Sequence, residues 1–278
     1  MHIVSLGFQT DLMLRTLQGS TVEDRGDHFV VRTVRNPAFW WGNFLLWCEP
    51  PAPGDAQRWE RAFTQALPDA DHRTFGVDGT SDRTSDTTPG ESTGYDEFVT
   101  AGYDVDASAV MTASAVHEPP HPNREATYRA LDLADPADRD AAIALQMANA
   151  PEREPLGHRD FLARKMDSMR ALQARGNGTW FGAFLDGEMR SGMGLVWDGS
   201  GLARFQSVDT HPAARGRGLA GTLVHHVSRR AFDQIGATTL VMVADPSYLA
   251  IDVYRSVGFA AAELQTTLER APRGATTR

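Results

Sequence analysis

The fold is decided by the stretch Val208-Asp209-Thr210-His211-Pro212-Ala213-Ala214-Arg215-Gly216-Arg217-Gly218-Leu219-Ala220. Its first residues predict the end of a β-strand, and its last residues predict the start of an α-helix. A strand that leads into a helix N-terminus leaves unpaired backbone N–H groups and the positive end of the helix dipole at one place. Such a place suits an anion, and glycines there allow a phosphate to approach the backbone closely.

Glycine spacing alone does not decide what this turn binds. Arg215 and Arg217 can pair with phosphate oxygens, but a tight strand-to-helix turn that binds nothing would have the same spacing. Gly216, Gly218 and Gly221 also satisfy the dinucleotide pattern G-x-G-x-x-G. Residues 212–215 separate the strand from the first glycine, however, and only 57 residues follow Gly221, too few for the rest of a dinucleotide domain. The Gly-Lys-Ser/Thr ending of a P-loop is also missing.

Hydrophobic periodicity predicts a mixed α/β chain. Strands are predicted at 28–34, 41–48, 104–115, 127–131, 179–185, 189–197, 202–210, 239–244 and 259–268. Helices are predicted at 55–67, 136–148, 158–175, from the glycine-rich turn to about 234, and at 247–256. The polar stretch 78–94 predicts a mobile loop.

A chain of 278 residues exceeds the usual size of one domain, so two domains are expected. The proline-rich segment 117–122 predicts the linker. We therefore expect a smaller N-terminal α/β domain at 1–120 and a larger domain at 121–278. The segments 98–103 and 254–259 share the pattern aromatic, three residues, Gly, aromatic, which indicates that the first half is a degenerate copy of the second.

Charge and cysteine content narrow the function classes. The formal net charge is −9, and residues 1–122 hold 18 acidic against 8 basic side chains, whereas 123–278 hold 18 against 19. No nucleic-acid partner is expected from this balance. Cys48 is the single cysteine, which excludes an internal disulfide and a cysteine metal cluster. Neither a signal peptide nor a membrane span is predicted, so the expected location is cytoplasmic.

Two blocks of the second half resemble the GCN5-related N-acetyltransferase (GNAT) superfamily. Arg215 to Ala220 matches its pyrophosphate motif, and Ala250, Tyr254, Gly258 and Phe259 match its Ala-x-x-x-Tyr-x-x-x-Gly-Phe ending. The resemblance covers about residues 126–269 and implies a mostly antiparallel sheet flanked by helices. It also implies acetyl-CoA as co-substrate, bound in a V-shaped opening between the strand before the turn and the strand after the long helix.

The resemblance also assigns the cofactor-binding residues. The expected contacts are Val208, Asp209, Thr210, Arg215, Gly216, Arg217, Gly218, Leu219, Ala220 and Ser247. Ser247 stands where many members carry Asn, and the backbone amides at 208–210 would hold the pantetheine and polarise the thioester carbonyl.

The implied reaction is direct attack of a primary amine on acetyl-CoA in a ternary complex. Tyr254 would act as the general acid for the leaving thiolate, and no metal is expected. The base is left open: Asp209 suits a structural role as well as a catalytic one, while Glu152 and Glu154 are candidate contacts of a cationic acceptor. A small-molecule or protein amine remains possible as acceptor, a homodimer is left open, and the alternative function is a non-catalytic acyl-CoA sensor.

Overall fold

The computed structural model describes residues 2–34, 36–37, 39–79, 94–150, 155–247 and 250–272, without the side chains of 155 and 156. Its helices are α1 Leu6–Leu17, α2 Ala56–Ala66, α3 Gly94–Thr100, α4 Pro136–Asn149, α5 Pro155–Ala174, α6 Leu219–Arg230 and α7 Ala250–Arg255. Its strands are β1 Thr21–Asp24, β2 His28–Arg32, β3 Phe44–Trp47, β4 Arg73–Val77, β5 Asp104–Ala113, β6 Thr127–Ala130, β7 Gly178–Leu185, β8 Glu188–Trp197, β9 Leu202–Thr210, β10 Thr239–Ala244 and β11 Ala260–Arg270.

Residue contacts divide the chain into two compact units that interleave in sequence. Unit 1 holds Met1–Val110, Val243–Pro246 and Ala262–Arg278, and unit 2 holds Met111–Met242 and Ser247–Ala261. The expected domains 1–120 and 121–278 are continuous stretches. The C-terminal strand falls in the second of these domains, whereas the contacts place most of it in unit 1. The proline-rich segment 117–122 lies inside unit 2. As functional domains, the two stretches stay a prediction.

Unit 1 is built on strands in the order β1-β2-β3-β4-β11-β5, with β3 and β4 parallel. Its core is aromatic, because Trp59 and Phe63 on one stripe of α2 are fully buried against the sheet. The ring of Trp59 stacks on Trp47 at 4.5 Å and meets Phe75 edge to face at 5.5 Å. Aromatic packing of this kind gives the smaller unit a dense core of its own.

Unit 2 carries strands in the order β10-β9-β8-β7-β6. Pairing is antiparallel for β6 with β7, β7 with β8 and β8 with β9, and parallel for β9 with β10. Trp180 of β7 meets Lys165 of α5, and its neighbour Phe181 meets Arg230 of α6. Successive side chains of a strand point to opposite faces, so α5 and α6 cover the two faces of this sheet.

The expected fold class is confirmed: a mixed α/β fold whose sheet is mostly antiparallel and flanked by helices. The strands 202–210 and 239–244 begin and end where the sequence predicted. The long helix ends at Arg230 and continues as one π-helical turn, Ala231–Ile235, and β1 and β4 were not predicted. Most of the predicted loop at 78–94 lies outside the described residues. None of the described helices is both long and apolar enough to cross a lipid bilayer.

Candidate active site

A β-bulge interrupts β9 just before its end. Gly192 of β8 pairs with Asp209, but Gly194 pairs with Gln206, so two residues of β9 stand opposite one residue of β8. Ser207 is the first of the two and has φ of 49°, one of two positive values among non-glycine residues in the described chain. A serine in this left-handed region is strained, and bulges turn backbone groups out of the ladder. The amides at 208–210 were predicted to bind the cofactor, and the bulge lies at their first residue.

The other side of β9 loses its strand partner before the bulge. The register with β10 joins Leu202 to Thr239, Ala203 to Leu240 and Arg204 to Val241, and it stops there. In the described part of unit 2, the residues of β9 from Phe205 on therefore keep only β8 as a strand neighbour. An unpaired strand edge of this kind offers backbone N–H and C=O groups to a ligand. This ending of the pairing agrees with the V-shaped opening that the resemblance implies.

The turn after β9, here called the phosphate loop (residues 211–218), is set by two left-handed glycines. Gly216 and Gly218 both have φ of 74°, and Gly218 is the N-cap of α6. A Cβ on Gly218 would lie 2.1 Å from the carbonyl oxygen of His121, so this position has room only for glycine. These two conformations place the backbone amides of the turn at the positive end of the α6 dipole.

The amides at the end of this turn are available to a ligand. Within the described ranges, the backbone N–H groups of residues 218–220, at the N-terminus of α6, donate to no side chain and to no distant carbonyl. An amide that stays unpaired at an exposed helix start is satisfied by solvent or by a bound anion. The arrangement therefore retains the donors that a diphosphate requires.

The two loop arginines have different partners. Arg215 donates from Nη2 to Oδ1 of Asn149 at 2.8 Å, a neutral acceptor on α4, which leaves its charge uncompensated by that contact. Arg217 pairs with Glu125 at 2.9 Å, and the side chains are 48% and 74% exposed. Exposed pairs of this kind are worth about 0 to 1 kcal/mol, so a phosphate can displace Glu125 at little cost.

Asn123, directly after the proline-rich segment that was predicted as a linker, holds the phosphate loop by hydrogen bonds. Asn123 donates from Nδ2 to the carbonyl of Arg217 at 3.0 Å, and its backbone N–H donates to Oγ1 of Thr222 at 2.9 Å. Thr222 in turn donates to the carbonyl of Gly218 at 2.9 Å. The carbonyls of Arg217 and Gly218 are thus held by hydrogen bonds within the protein.

The sequence pattern assigned no role to Lys165 of α5, the only lysine of the chain, which lies beside the bulge. Its Nζ donates to Oε1 of Gln146 on α4 at 2.7 Å and to Oγ of Ser207 on the bulge at 2.6 Å. Nζ also lies 5.4 Å from the ring centre of Trp180, which is 1% exposed. The half-buried amine is therefore held by contacts to α4, the bulge and an indole ring.

Lys165 and Asp209 have pKa values shifted toward each other. Burial lowers the pKa of the Lys165 ammonium to about 8, although the charge of Asp209 opposes this shift. Burial likewise raises the pKa of the Asp209 carboxyl to about 6, against the charges of Lys165 and Arg215. Two groups that titrate this near neutrality beside one strand are typical of a site that moves protons.

The remaining predicted site residues are distributed as follows. Tyr254 is 5% exposed and lies in α7, next to the buried Ile251. Ser247 is exposed in the turn that follows β10. Glu152 and Glu154, the candidate acceptor contacts, lie outside the described residues. The roles of all these residues stay predictions.

The comparisons with known proteins agree with the expected family. Residues 143–259 match the model of the acetyltransferase (GNAT) family, and no curated protein matches the chain. A GCN5-related N-acetyltransferase from Kribbella flavida is similar in structure with a TM-score of 0.63 at 14% identity, over 99% of this chain and 98% of that chain. A functionally unknown conserved protein from Staphylococcus epidermidis ATCC 12228 has a TM-score of 0.68 at 10% identity, covering 91% and 94%.

A third similar structure bears on the first half. A tandem GNAT protein from the clavulanic acid biosynthesis pathway, without AcCoA, has a TM-score of 0.52 at 14% identity and covers 80% of this chain and 70% of that chain. At such identities the likeness concerns the fold, and it extends over both halves. The expected GNAT-like character of the N-terminal half therefore also refers to its fold alone. The family model therefore identifies a GNAT acetyltransferase domain at residues 143–259, and this family implies acyl transfer from acyl-CoA.

Proposed function

We propose that the protein is an N-acetyltransferase that moves the acetyl group of acetyl-CoA to a primary amine by direct attack. The observation that carries this proposal is the glycine turn at the start of α6, which leaves the backbone amides of residues 218–220 without a side-chain or distant carbonyl partner among the described residues. The diphosphate would lie on the amides of 218–220 with Arg217 beside it, and the thioester carbonyl would lie on an amide of 208–210. Donors fixed in advance stabilise the negative charge that develops on such a carbonyl.

The amine must lose a proton as it attacks, and the thiolate must gain one. Asp209 and Lys165 stand beside the bulge with pKa values of about 6 and 8, so an unprotonated form of each exists near neutral pH. Either can accept the proton of the amine. Tyr254 is the proposed donor to the thiolate. No enzyme nucleophile is needed, which agrees with the chemistry of Cys48, whose thiol pKa is raised by burial to about 11.

The test combines binding with turnover. Titration calorimetry should detect CoA binding, and a thermal unfolding assay should show stabilisation by CoA but not by NAD. Release of free thiol from acetyl-CoA is then followed across a panel of small amines, amino acids and peptides. Absence of CoA binding contradicts the proposal, whereas binding without thiol release from any amine favours the acyl-CoA sensor.

We expect opposite effects from the two partners of the loop ion pair. Arg217→Gln should weaken CoA binding about tenfold, because it removes a cation from the diphosphate site. Glu125→Gln should strengthen CoA binding about twofold, because it releases the same guanidinium at little cost in stability. Calorimetry at two salt concentrations measures both, and the two effects should shrink at high salt. Weaker binding in Glu125→Gln would assign Arg217 a purely structural role.

Tyr254→Phe should lower kcat about a hundredfold and leave the Kd of CoA unchanged, because a general acid acts on the leaving thiolate and not on the bound cofactor. Steady-state kinetics with the best amine of the panel and calorimetry with CoA separate the two quantities. Thermal unfolding of the variant serves as the control, since Tyr254 is buried. A variant that turns over at the wild-type rate under saturation would remove this role.

A further inference from the structure

The chain carries a primary amine of its own at the proposed reaction centre. Lys165 is the only lysine, and its Nζ is hydrogen-bonded at 2.6 Å to Ser207, the residue directly before Val208. The proposed function assigns the thioester carbonyl to amides that begin at Val208. Any primary amine acceptor would therefore have to come close to a place where an amine is already fixed.

The hydrogen bonds of this amine suit its uncharged form. A neutral lysine amine has two N–H donors and one lone pair, whereas the ammonium has three donors. Nζ donates to two oxygens, those of Gln146 and Ser207, and both are uncharged acceptors. With its two hydrogens used in this way, a neutral Nζ keeps its lone pair unengaged by either contact. An unprotonated, hydrogen-bonded amine in this position is a nucleophile.

We propose that Lys165 is an acyl acceptor, so that the protein acylates its own side chain from acyl-CoA. The lone pair of Nζ attacks the thioester carbonyl carbon, the C–N bond forms and the C–S bond breaks. One amine proton is lost to Asp209 or solvent, and CoA leaves as the thiolate, which is then protonated. The products are an acyl-lysine at 165 and free CoA in equal amounts. This proposal rests on the proposed function.

The surroundings of Lys165 support a large neutral fraction. Trp180 and α4 exclude water on two sides, and α4 presents the uncharged Gln146. The charged groups that act on the site are Asp209 of β9 and, through Asp209, Arg215 of the phosphate loop. With a pKa of about 8, about a tenth of the Lys165 amine is unprotonated at pH 7, against fewer than about one in a thousand for an ordinary lysine.

Acylation would also change the site. An acetyl-lysine can no longer become a cation, so Asp209 would lose the positive charge that lowers its pKa. The added acetyl group would also lie where the acceptor amine is proposed to bind. Self-acylation therefore predicts slower turnover of an external amine in the modified protein.

The full-length protein is incubated with acetyl-CoA at several pH values from 7 to 9, and peptide mass spectrometry locates the acetyl group. We expect one acetyl group on Lys165, released CoA in equal amount, and a rate that rises with pH and levels off above about 8. Lys165→Arg should remove the modification. Peptide analysis separates it from acetylation of the N-terminal amine, and calorimetry with CoA is run on the same samples.

A matched control moves the lysine by one residue. The double variant Arg164→Lys/Lys165→Arg keeps the charge of α5 and places the only lysine on an exposed position of the same helix. We expect its acetylation to be at least about tenfold slower than that of Lys165, because its amine is solvated and protonated. Acetyl phosphate, a donor without CoA, should also modify Lys165 more slowly than acetyl-CoA.

Three results would overturn the inference. They are an unmodified Lys165 in a protein that binds CoA, equal acetylation of the lysine at 164, and equal rates with the two donors. If such a protein still acetylates an external amine, only the self-acylation is lost and the proposed function stands. If CoA does not bind at all, both fail together.

Discussion

Gly218→Ala should unfold at much lower denaturant concentration than the wild-type protein and should lose CoA affinity. An alanine held at the φ of 74° that Gly218 has costs about 1 to 2 kcal/mol, and the alanine Cβ would lie 2.1 Å from the carbonyl oxygen of His121. Because that oxygen belongs to backbone, the loop or the segment behind it must move. We expect a loss of about 3 kcal/mol or more in the free energy of unfolding, as for other severely strained substitutions. Displaced loop amides should weaken CoA binding about tenfold or more.

The matched control is Gly236→Ala, at the end of the π-helical turn. Gly236 has φ of 76°, and no heavy atom lies within 4 Å of its Cβ position. This variant therefore carries the same backbone strain without the clash. We expect it to lose about 1 kcal/mol in the free energy of unfolding and to keep the wild-type affinity for CoA. Urea unfolding and calorimetry on both variants isolate the effect of the contact with His121. Equal stability loss in the two variants would mean that the loop does not pack as described.

Sequence patterns predicted the elements of unit 2 well, and they failed where tertiary contacts decide. The strands 202–210 and 239–244 were correct because long apolar runs between glycine and proline signals leave few alternatives. Strand β4 was missed because five residues, Arg73–Val77, give too short a pattern, and they pair with β11 from the far end of the chain. Partners so distant in sequence leave no local signal.

The phosphate loop was predicted residue by residue, but the bulge was not. Ser207 lies in a segment that the sequence predicted as a strand, but it takes a left-handed φ that serine disfavours. Nothing in the residue type indicates this, because the bulge depends on the pairing with Gly192 and Gly194.

Lys165 was missed although a signal was present. Leu162, Met166 and Met169 are buried at helical spacing, and position 165 falls within the same stripe of α5. A lysine on the apolar face of a helix, in a chain that otherwise uses only arginine, indicates a functional position. Its partners Gln146 and Ser207 lie 19 and 42 residues away, so the cluster itself could not be read from spacing.

The half-buried amine of Lys165 should also affect the pH dependence of the free energy of unfolding. The folded pKa of Lys165 is about 8 and the ordinary value is 10.5, so between these values the unfolded chain binds more protons than the folded chain. The contribution of Lys165 to stability therefore rises with pH from about 8 to 10.5. Below pH 8 the full cost of burying the charged ammonium is present. Each pKa unit corresponds to 1.36 kcal/mol, so this cost is about 3 kcal/mol. Asp209 acts at lower pH: its raised pKa makes stability fall as pH rises from 3.8 to about 6.

Lys165→Met isolates the contribution of the Lys165 amine to this pH dependence, because methionine fills a similar volume and does not titrate. The variant should have a higher free energy of unfolding than the wild type, and this difference should be larger at pH 7 than at pH 10 by up to about 3 kcal/mol. The reason is that only the wild type gains stability when its lysine loses a proton on the alkaline side. Taking the difference between the two proteins cancels the titrating groups that do not interact with Lys165, such as Tyr128. Arg164→Met on the exposed face of α5 is the control and should show no such pH dependence. A Lys165→Met difference that stays constant from pH 7 to 10 would mean that the amine titrates as an ordinary lysine, and the nucleophilic role would lose its physical basis.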